Sequence, residues 1–428
     1  MTDRLQQDKV EENEQFRAPQ TSILFEKYAV WVLLAGLVIA IWYRFVPLII
    51  VSTFLLFLTV MIRFWRIKSL AHMELKLELS KSRIFANQDF HLDASLYNNK
   101  WLPLPWVEWE FPENKGIVLG DDETDTYLMR FLWLLWYQQV HWTIHGRAQK
   151  RGVRDIGRVR LRSGDGFRFS EVEQEYDLNG KLYVYPAVLP VSIPAFHPSM
   201  QWGMKGKQGG FLEDPLLVNG IREYQDGDEV RRFNWRASAR TGKLHTNLYQ
   251  PILVEQLFIL VDVQGFHVDK SGYQEDDAIE LQKIIMKKEA DFEWMLSMIT
   301  SIIVQYHRQE NSIGLISNAR NYLGNKMNPI KPSTNVTLIL DQLAEMTSMI
   351  RKEKMSILDE VFVKLELSMP LFIFCEKVTN FHYMWYERNK QKLIDVRFFY
   401  MYETDDSRRL PIAQPLHSFL SNDQQGAL

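Results

Sequence analysis

Two uncharged apolar runs stand near the N-terminus, and they leave the chain few ways to fold. Tyr28 to Tyr43 (YAVWVLLAGLVIAIWY) is followed by Arg44 and then by Phe45 to Ile62 (FVPLIIVSTFLLFLTVMI). As helices rising about 1.5 Å per residue they reach roughly 24 and 27 Å, close to a hydrocarbon core of about 30 Å. Lys27, Arg44 and Arg63 can snorkel, and Trp31, Trp42, Tyr43 and Trp65 suit the interfaces. Pro47 has no donor N–H and fits the first turn of a second helix. The runs predict a tight helical hairpin turning at Arg44 to Pro47 and crossing a membrane twice. A cleavable signal peptide is disfavoured, because the first run starts late, behind an acidic and polar tail, and the second follows at once. Two buried helices of a soluble domain are the other reading. Arg63, Arg66 and Lys68 lie just past the second run, whereas the turn holds Arg44 alone. The positive-inside rule then places both ends, and the soluble domains, in the cytoplasm.

With 428 residues the chain has room for two or three domains. A formal net charge of −3 gives no general pull towards nucleic acid, which is not an expected partner. The single cysteine, Cys375, forbids an internal disulfide and favours a reducing compartment. It lies in the apolar run Leu371 to Cys375 and reads as a buried, inert thiol.

Texture divides the rest of the chain. Residues 1–27 form a polar N-terminal tail and 28–66 the two helices. From 73 to 190 the pattern is that of strands: Glu74 to Leu79 and His91 to Tyr97 alternate with period two, and Trp106–Phe111, Gln138–Gly146, Arg158–Arg162 and Lys181–Tyr185 are further candidates. Short strands separated by turns predict a β-sandwich. The aromatic run Phe131 to Tyr137 is too short to span a bilayer; packing inside or against the sandwich is the expectation, and dipping into a membrane interface the alternative. Residues 191–219, rich in Gly, Pro and Lys, read as a linker and lack the spacing of a phosphate-binding loop. From 251 to 402, strands at Val254–Val261, Ser312–Ser317, Pro370–Phe374 and Asp395–Tyr400 alternate with helices at Asp276–Glu310, Thr334–Met346, Ile357–Leu367 and Asn380–Lys392. That order predicts an open, mainly parallel sheet covered on both faces. The tail 403–428 is polar and expected to be loosely ordered.

Residues 220–250 carry the densest signal. Gly220 to Arg240 reads GIREYQDGDEVRRFNWRASAR. Asp226-Gly227 is a turn dipeptide, and Asp228 can accept backbone N–H bonds there. Arg222, Arg231, Arg232, Arg236, Arg240 and Lys243 are interleaved with Glu223, Asp226, Asp228 and Glu229. On a helix from about Asp228, Arg232 and Arg236 would share a face and Trp235 would point away from it, suited to burial. The directional forks of Arg and carboxylate can lock such a segment onto the following sheet. Arg, Trp and Tyr are also typical anchors of protein interfaces, and the interleaved acids oppose phosphate or nucleic-acid contact. The candidate binding surface is Arg222, Tyr224, Asp228, Arg231, Trp235 and Arg240.

This segment resembles the diagnostic motif of the bacterial family known as domain of unknown function 58, G-x-R-x-Y-x-x-G-D-x-x-R-x-I-x-W-x-x-S-A-R. Gly220, Arg222, Tyr224, Gly227, Asp228, Arg231, Trp235, Ser238, Ala239 and Arg240 match, and Phe233 stands where an aliphatic residue is usual. Lys150-Arg151-Gly152 is similar to the family's R-R-G turn and Asp165 to Phe169 to its D-P-F-G-L-F. The resemblance implies a multi-domain α+β chain: a transmembrane helical hairpin, a β-sandwich, then a von Willebrand factor A-like α/β domain with a mainly parallel sheet. It also implies a partnership with a MoxR-type AAA+ ATPase or an envelope client, in assembly or maturation at the bacterial cytoplasmic membrane.

A von Willebrand A domain holds Mg²⁺ through D-x-S-x-S after its first strand, oxygen ligands suited to a hard cation. This chain reads Asp262-Val-Gln264-Gly-Phe266. Asp262, Gln264 and Glu376 are the residues left to bind a metal, and Phe266 cannot. The expectation is no cofactor, with Asp262 capping its strand or the next turn. His141 and His145 have zinc-like spacing only on a helix; on a strand they stand roughly 13 Å apart. His267 and His307 could join Asp262 in a hydrolytic set, but no pattern brings them together. The expected function is a membrane-anchored, non-enzymatic scaffold or adaptor. One alternative is a Mg²⁺-dependent adhesion-type binding module centred on Asp262. The other is an envelope hydrolase or transferase, which needs a clustered nucleophile, His and acid.

Overall fold

The structure, a computed structural model, describes residues 23–114, 116–120, 128–166, 168, 171–192, 213–226, 228–251, 256–268, 278–350, 357–359, 370–391 and 395–420. The chain divides into two units, residues 1–184 and 185–428.

The first unit begins with α1 (Ile23–Trp42) and α2 (Val46–Ser69). Arg44 closes α1 in the left-handed region at φ 53°, and Pro47 sits in the first turn of α2, as its missing donor allows. The turn therefore falls where the sequence places it. The second helix runs beyond Ile62 and takes in Arg63, Arg66 and Lys68. Arg66 and Lys68 lie in its last turn, where cations meet the negative end of the helix dipole. Among the described residues α2 is the one helix long and apolar enough to cross a membrane, and it is almost wholly exposed; the described apolar stretch of α1, Val30–Trp42, is shorter.

Two antiparallel sheets follow. One has the order β1 (Met73–Leu79), β3 (Asp89–Asn98), β7 (Gln139–Ala148), β5 (Ile117–Leu119); the other β10 (Glu171–Asp177), β9 (Arg158–Gly164), β4 (Leu104–Phe111), β6 (Leu128–Leu134). A small third sheet orders β2 (Arg83–Phe85), β11 (Lys181–Tyr185) and β8 (Gly152–Asp155). Alternation decides which faces turn inward. On β7 the residues Trp142, Ile144, Gly146 and Ala148 are buried and those between are not. Trp109 of β4 and Trp142 of β7 meet edge to face at 4.7 Å, so the two large sheets share one core with Leu96, Val107 and Leu161. The outer face of the second sheet carries a charge ladder. Arg160 reaches Glu110 at 3.2 Å and Glu175 at 2.8 Å, and Arg162 reaches Glu173 at 3.1 Å. Glu108 and Glu110 are buried, and this pairing lets them stay so.

The aromatic run of residues 131–137 departs from the expected packing. Edge strand β6 turns Leu132 and Leu134 towards the core and leaves Phe131 and Trp133 outside; Trp136 and Tyr137 are exposed in the loop that follows. Period two on a half-covered strand forces that split, and a run of consecutive aromatics cannot all face one way.

The second unit opens with the hairpin β12 (Glu213–Glu223) and β13 (His245–Pro251), with α3 (Trp235–Thr241) between them. Residues 213–219 are thus strand rather than linker; the stretch 193–212 lies outside the described residues. The main sheet orders β17 (Ile330–Ser333), β15 (Ser312–Ser317), β14 (Gln256–Asp262), β19 (Leu371–Lys377), β20 (Val396–Tyr402) and β21 (Ala413–Pro415). All neighbours are parallel except the edge pair β15–β17. A short ribbon pairs β16 (Ala319–Asn321) with β18 (Met346–Ile350). Helices α4 (Ala278–Arg308), α5 (Val336–Glu345) and α6 (Asn380–Asn389) supply crossovers, as parallel strands require. One face of the sheet packs Phe258, Leu260, Ile373 and Phe398 against Trp385 of α6. The other meets α4, where Tyr306 lies 6.2 Å from Phe372. Of the expected helix Ile357–Leu367, residues 360–367 lie outside the described residues.

Residues 403–420 are better ordered than their polarity predicts, and 421–428 lie outside the described residues. The helix α7 (Asp405–Arg409) is capped by Thr404, β21 extends the sheet, and Leu410, Leu416, Phe419 and Leu420 are buried. Widely spaced apolar residues among prolines and charges carry no period, yet they close the end of the sheet. The chain is therefore mixed α/β, with an apolar N-terminal helix and several sheets, one of them mixed and largely parallel.

Gly146 gives a direct test of the first core. A Cβ there would meet Phe90 ring carbons at 2.6 and 2.9 Å. Gly146→Ala is expected to destabilise the first unit by about 1–3 kcal/mol. Adding Phe90→Leu should return part of that loss in chemical denaturation, a non-additivity that a conformational effect of glycine alone would not produce.

Candidate functional site

Two places gather functional side chains, the signature hairpin and the C-terminal ends of the central parallel strands; each is described by itself.

In the hairpin, Arg222 pairs with Thr246 and Glu223 with His245 across β12 and β13. The chain then leaves the ladder. Asp228 organises the turn: one oxygen accepts from Arg222 Nη2 at 2.6 Å, the other from the Gln225 N–H at 3.0 Å. The Gln225 amide and the Arg222 guanidinium hold the Asp228 carboxyl below its ordinary range despite the cost of partial burial. Glu229 takes Arg231 at 2.5 Å and Arg232 at 3.3 Å, and Lys243 reaches Glu223 at 2.9 Å. A 3-10 turn at Val230–Arg232 follows. Asn234 then caps α3 by accepting from the Ala237 N–H, and Gly242 ends it at φ 71°. Ser238 donates to Asn234 O and accepts from the His245 N–H, and the Asn234 side chain donates to Asn247 Oδ1. The small polar residues of the signature therefore staple α3 to β13.

The helix starts later than the charge pattern predicts. Arg231 and Arg232 belong to the 3-10 turn, so Arg232 and Arg236 do not share a helical face. Trp235 is not buried: it is 65% exposed at the start of α3. The aromatic contact it makes is local, edge to face with Phe233 at 5.4 Å, and Phe233 meets Tyr224 in the same way at 5.1 Å. A seven-residue helix on a two-stranded ribbon has no core of its own to receive an indole. Of the six candidate residues, Arg222, Tyr224 and Asp228 form the braced base. Arg231, Trp235 and Arg240 stand exposed.

The second place lies where β14 and β19 end. Numbered within its domain, the sheet runs 3-2-1-4-5-6, and its order reverses between β14 and β19, the point at which open α/β sheets bind ligands. Asp262 and Glu376 are there, both buried. Asp262 Oδ1 accepts from Asn318 Nδ2 at 2.6 Å and from the Gln264 N–H at 3.0 Å; Oδ2 lies 3.2 Å from His382 Nε2. The Thr379 N–H donates to His382 Nδ1 at 3.1 Å, so Nδ1 accepts and Nε2 carries the hydrogen given to Asp262. Burial raises the Asp262 carboxyl, but His382, Gln264 and Asn318 outweigh it and leave the group below its ordinary value. Glu376 is joined by Lys288 of α4, whose ammonium also donates to Gly265 O at 2.8 Å. Gly265 is required, since a Cβ would collide with the Glu376 carboxylate. Cys375, beside them, is buried, and burial together with the two carboxylates pushes its thiol well up.

These residues do not fit a divalent cation. Phe266 is buried against Phe292, Gln264 is exposed, and the lysine ammonium already bridges the Gly265 carbonyl and the Glu376 carboxylate. Among the described residues no group of three or more His, Cys, Asp or Glu is placed to hold a metal. Asp262 caps the turn after its strand, through Gln264. The histidine it meets is His382 rather than His267 or His307. His141 and His145 lie on strand β7, where His145 meets His91 edge to face at 5.5 Å. Thr379, His382 and Asp262 do make a hydroxyl–imidazole–carboxylate chain, with Thr379 Oγ1 2.9 Å from His382 Nδ1. The threonine, however, is the cap of α6 and shares a reciprocal capping box with His382, so its hydroxyl is committed to the helix start. Sequence reasoning missed His382 and Lys288. The T-x-x-H spacing at the start of α6 was the available signal for the first; nothing local marks the second.

Asp262→Asn is expected to set an amide N–H against the His382 Nε2–H and to cost about 1–3 kcal/mol, read as a lower unfolding midpoint of the second unit. Because the folded-state value of Asp262 is depressed, its contribution is complete above about pH 4 and is lost as pH falls through the folded value. The gap between wild type and variant should therefore close in acid.

Comparison with known proteins bears on the first place. The family described as "Protein of unknown function DUF58" matches residues 220–282, a window that takes in the signature hairpin, β14 and Asp262. The "Uncharacterized protein YeaD" of Bacillus subtilis (strain 168) is 24% identical over 186 residues, 43% of this chain and 46% of that protein. The chain thus spans less than half the length of that relative. Among solved structures, a CARDB domain from Pyrococcus furiosus in complex with di-metal ions is 8% identical, covering 26% of this chain and 91% of that one with a TM-score of 0.18. A beta-glucosidase from Listeria innocua in complex with glucose is 12% identical over 26% of this chain and 16% of its own, with a TM-score of 0.15. Scores so low carry no argument about fold or activity. The residues that brace the hairpin lie inside that window, so the signature segment of this chain is similar to the family described as "Protein of unknown function DUF58" over residues 220–282.

Proposed function

We propose that this protein is a membrane-anchored, non-enzymatic adaptor whose signature hairpin docks a MoxR-type AAA+ ATPase, or an envelope client, at the bacterial cytoplasmic membrane. One observation carries the reading. The hairpin pairs Glu223, Asp228 and Glu229 from within and leaves Arg231 and Trp235 exposed on a braced frame. A rigid, pre-ordered aromatic and guanidinium pair is what an interface anchor needs, because little ordering entropy remains to be lost on binding.

The rest of the architecture supports this role. The α1–α2 hairpin is read as two membrane passes, with Arg63, Arg66 and Lys68 holding the soluble units on the cytoplasmic side. The paired antiparallel sheets are read as a β-sandwich. The 3-2-1-4-5-6 order with an antiparallel third strand supports a von Willebrand factor A-like second unit. Its metal position is read as replaced by Lys288 and His382, an internally neutralised form of the site. The Mg²⁺-dependent alternative would be favoured by heat on titrating Mg²⁺ into the solubilised full chain. The hydrolase or transferase alternative rests on the Thr379–His382–Asp262 chain; labelling of Thr379 by an electrophilic phosphonate would favour it.

Arg231→Ala with Trp235→Ala should abolish recovery of the ATPase in pull-downs from membranes while lowering stability by no more than about 1 kcal/mol, since both side chains are exposed and Arg232 still pairs with Glu229. Undiminished recovery would remove the docking role. A fluorescent-protein fusion at the C-terminus should be bright, and an alkaline phosphatase fusion inactive, if that end is cytoplasmic.

A further inference from the structure

Two loops of the first unit meet beside the end of α2. The β3–β4 loop carries Lys100 and Trp101, and the β6–β7 loop carries Leu135, Trp136 and Tyr137. They are tied together by backbone. The Tyr137 N–H donates to Lys100 O, and the Asn98 side chain donates to both Leu102 O and Leu135 O at 2.9 Å. They are also tied to the helix. Lys100 Nζ donates to Ala71 O at 2.9 Å, just past Ser69, and the Trp101 ring lies 6.4 Å from Phe64. Burial brings the Lys100 ammonium down to about 8, so this joint is a buried structural contact and not a solvated surface charge.

The result is a set of exposed aromatics on these loops and the neighbouring strand, Trp101, Phe131, Trp133, Trp136 and Tyr137, with Trp133 at 74% and Trp136 at 60%. Such a patch on a soluble surface marks a binding face. Its composition selects the partner: Trp and Tyr are the residues enriched at the membrane–water boundary, where a ring needs an apolar and a wet side together. Its place selects the partner too, because it continues from the last turns of the helix that is apolar enough to span. The charges around it agree. Arg168 lies over both Trp106 and Phe131, at 4.6 and 5.6 Å, and Arg130 lies over Trp142. The neighbouring acids Glu108 and Glu110 are already paired with Arg162 and Arg160.

We infer that this set is a second membrane contact, an aromatic foot that enters the headgroup–acyl boundary beside α2 and fixes the tilt of the β unit against the lipid surface. The inference rests on the reading of α2 as a membrane anchor, and the test separates the two. An environment-sensitive dye would be attached through Trp136→Cys, through Phe57→Cys on α2, and through Met349→Cys on β18, in the full chain reconstituted into phosphatidylglycerol–phosphatidylethanolamine vesicles. The unsubstituted chain, with Cys375 buried, is the labelling blank. The expected result is a blue shift at residue 136 and loss of its emission with headgroup-region nitroxide lipid. Residue 57 should be quenched by deep nitroxide lipid, and residue 349 by neither. Quenching at 57 without quenching at 136 overturns the foot and leaves the anchor. No quenching at 57 removes the anchor and the foot with it. A blue shift at 136 without quenching overturns the proposal in favour of a protein covering these aromatics, a second copy included.

Discussion

Carboxylates held partly or wholly out of water must be neutralised, and in this chain the neutralising groups come from the chain itself. Asp228 is met by Arg222 and the Gln225 amide, Glu229 by two arginines, Asp262 by His382 and Asn318, and Glu376 by Lys288. An unpaired buried charge costs several kcal/mol. Each pairing therefore dictates a conformation: the turn after β12, the cap on β14, the seat of α4 against the strand ends. The same self-sufficiency decides what remains for a partner. The oxygens of these four carboxylates have partners within the chain, and beside them the hairpin presents Arg231 and Trp235.

Much of the architecture was legible because burial imposes a period. The alternation of Glu74–Leu79 and His91–Tyr97 became β1 and β3, and the apolar runs before Asp262 and Glu376 became the buried strands β14 and β19. The hairpin of helices was visible in an interrupted apolar run. The failures share a cause. Trp235 was expected to be buried because it would face away from the arginines of a helix starting near Asp228, but the helix starts at Trp235 and sits on a two-stranded ribbon. The aromatic run at 131–137 was expected to pack, yet strand geometry hides alternate residues only. His382 lies 120 residues along the chain from Asp262, and Lys288 lies 88 from Glu376. No local pattern encodes a pairing of that kind.

The family motif gains a physical meaning from the hairpin. Its arginine and aspartate are a matched pair across a turn, its serine bridges the helix to β13, and its tryptophan is presented rather than stored. A motif can thus mix residues that build a frame with residues the frame displays. The candidate surface of six residues divides along that line, and the division could not be read from spacing, since Arg222 and Arg231 look alike in a sequence.

The short strand β21 has a consequence of its own. It covers the outer side of β20, whose sequence is VRFFYMY, and Val191 bridges to Leu420 close by. Stripped of β21, β20 would offer a bare row of amides and carbonyls flanked by aromatic rings, the kind of template on which chains stack into insoluble fibres. The three residues of β21, which follow Pro411 closely and end on Pro415, act as a blunt selvedge: they finish the fabric of the sheet and give a neighbouring chain almost nothing to continue.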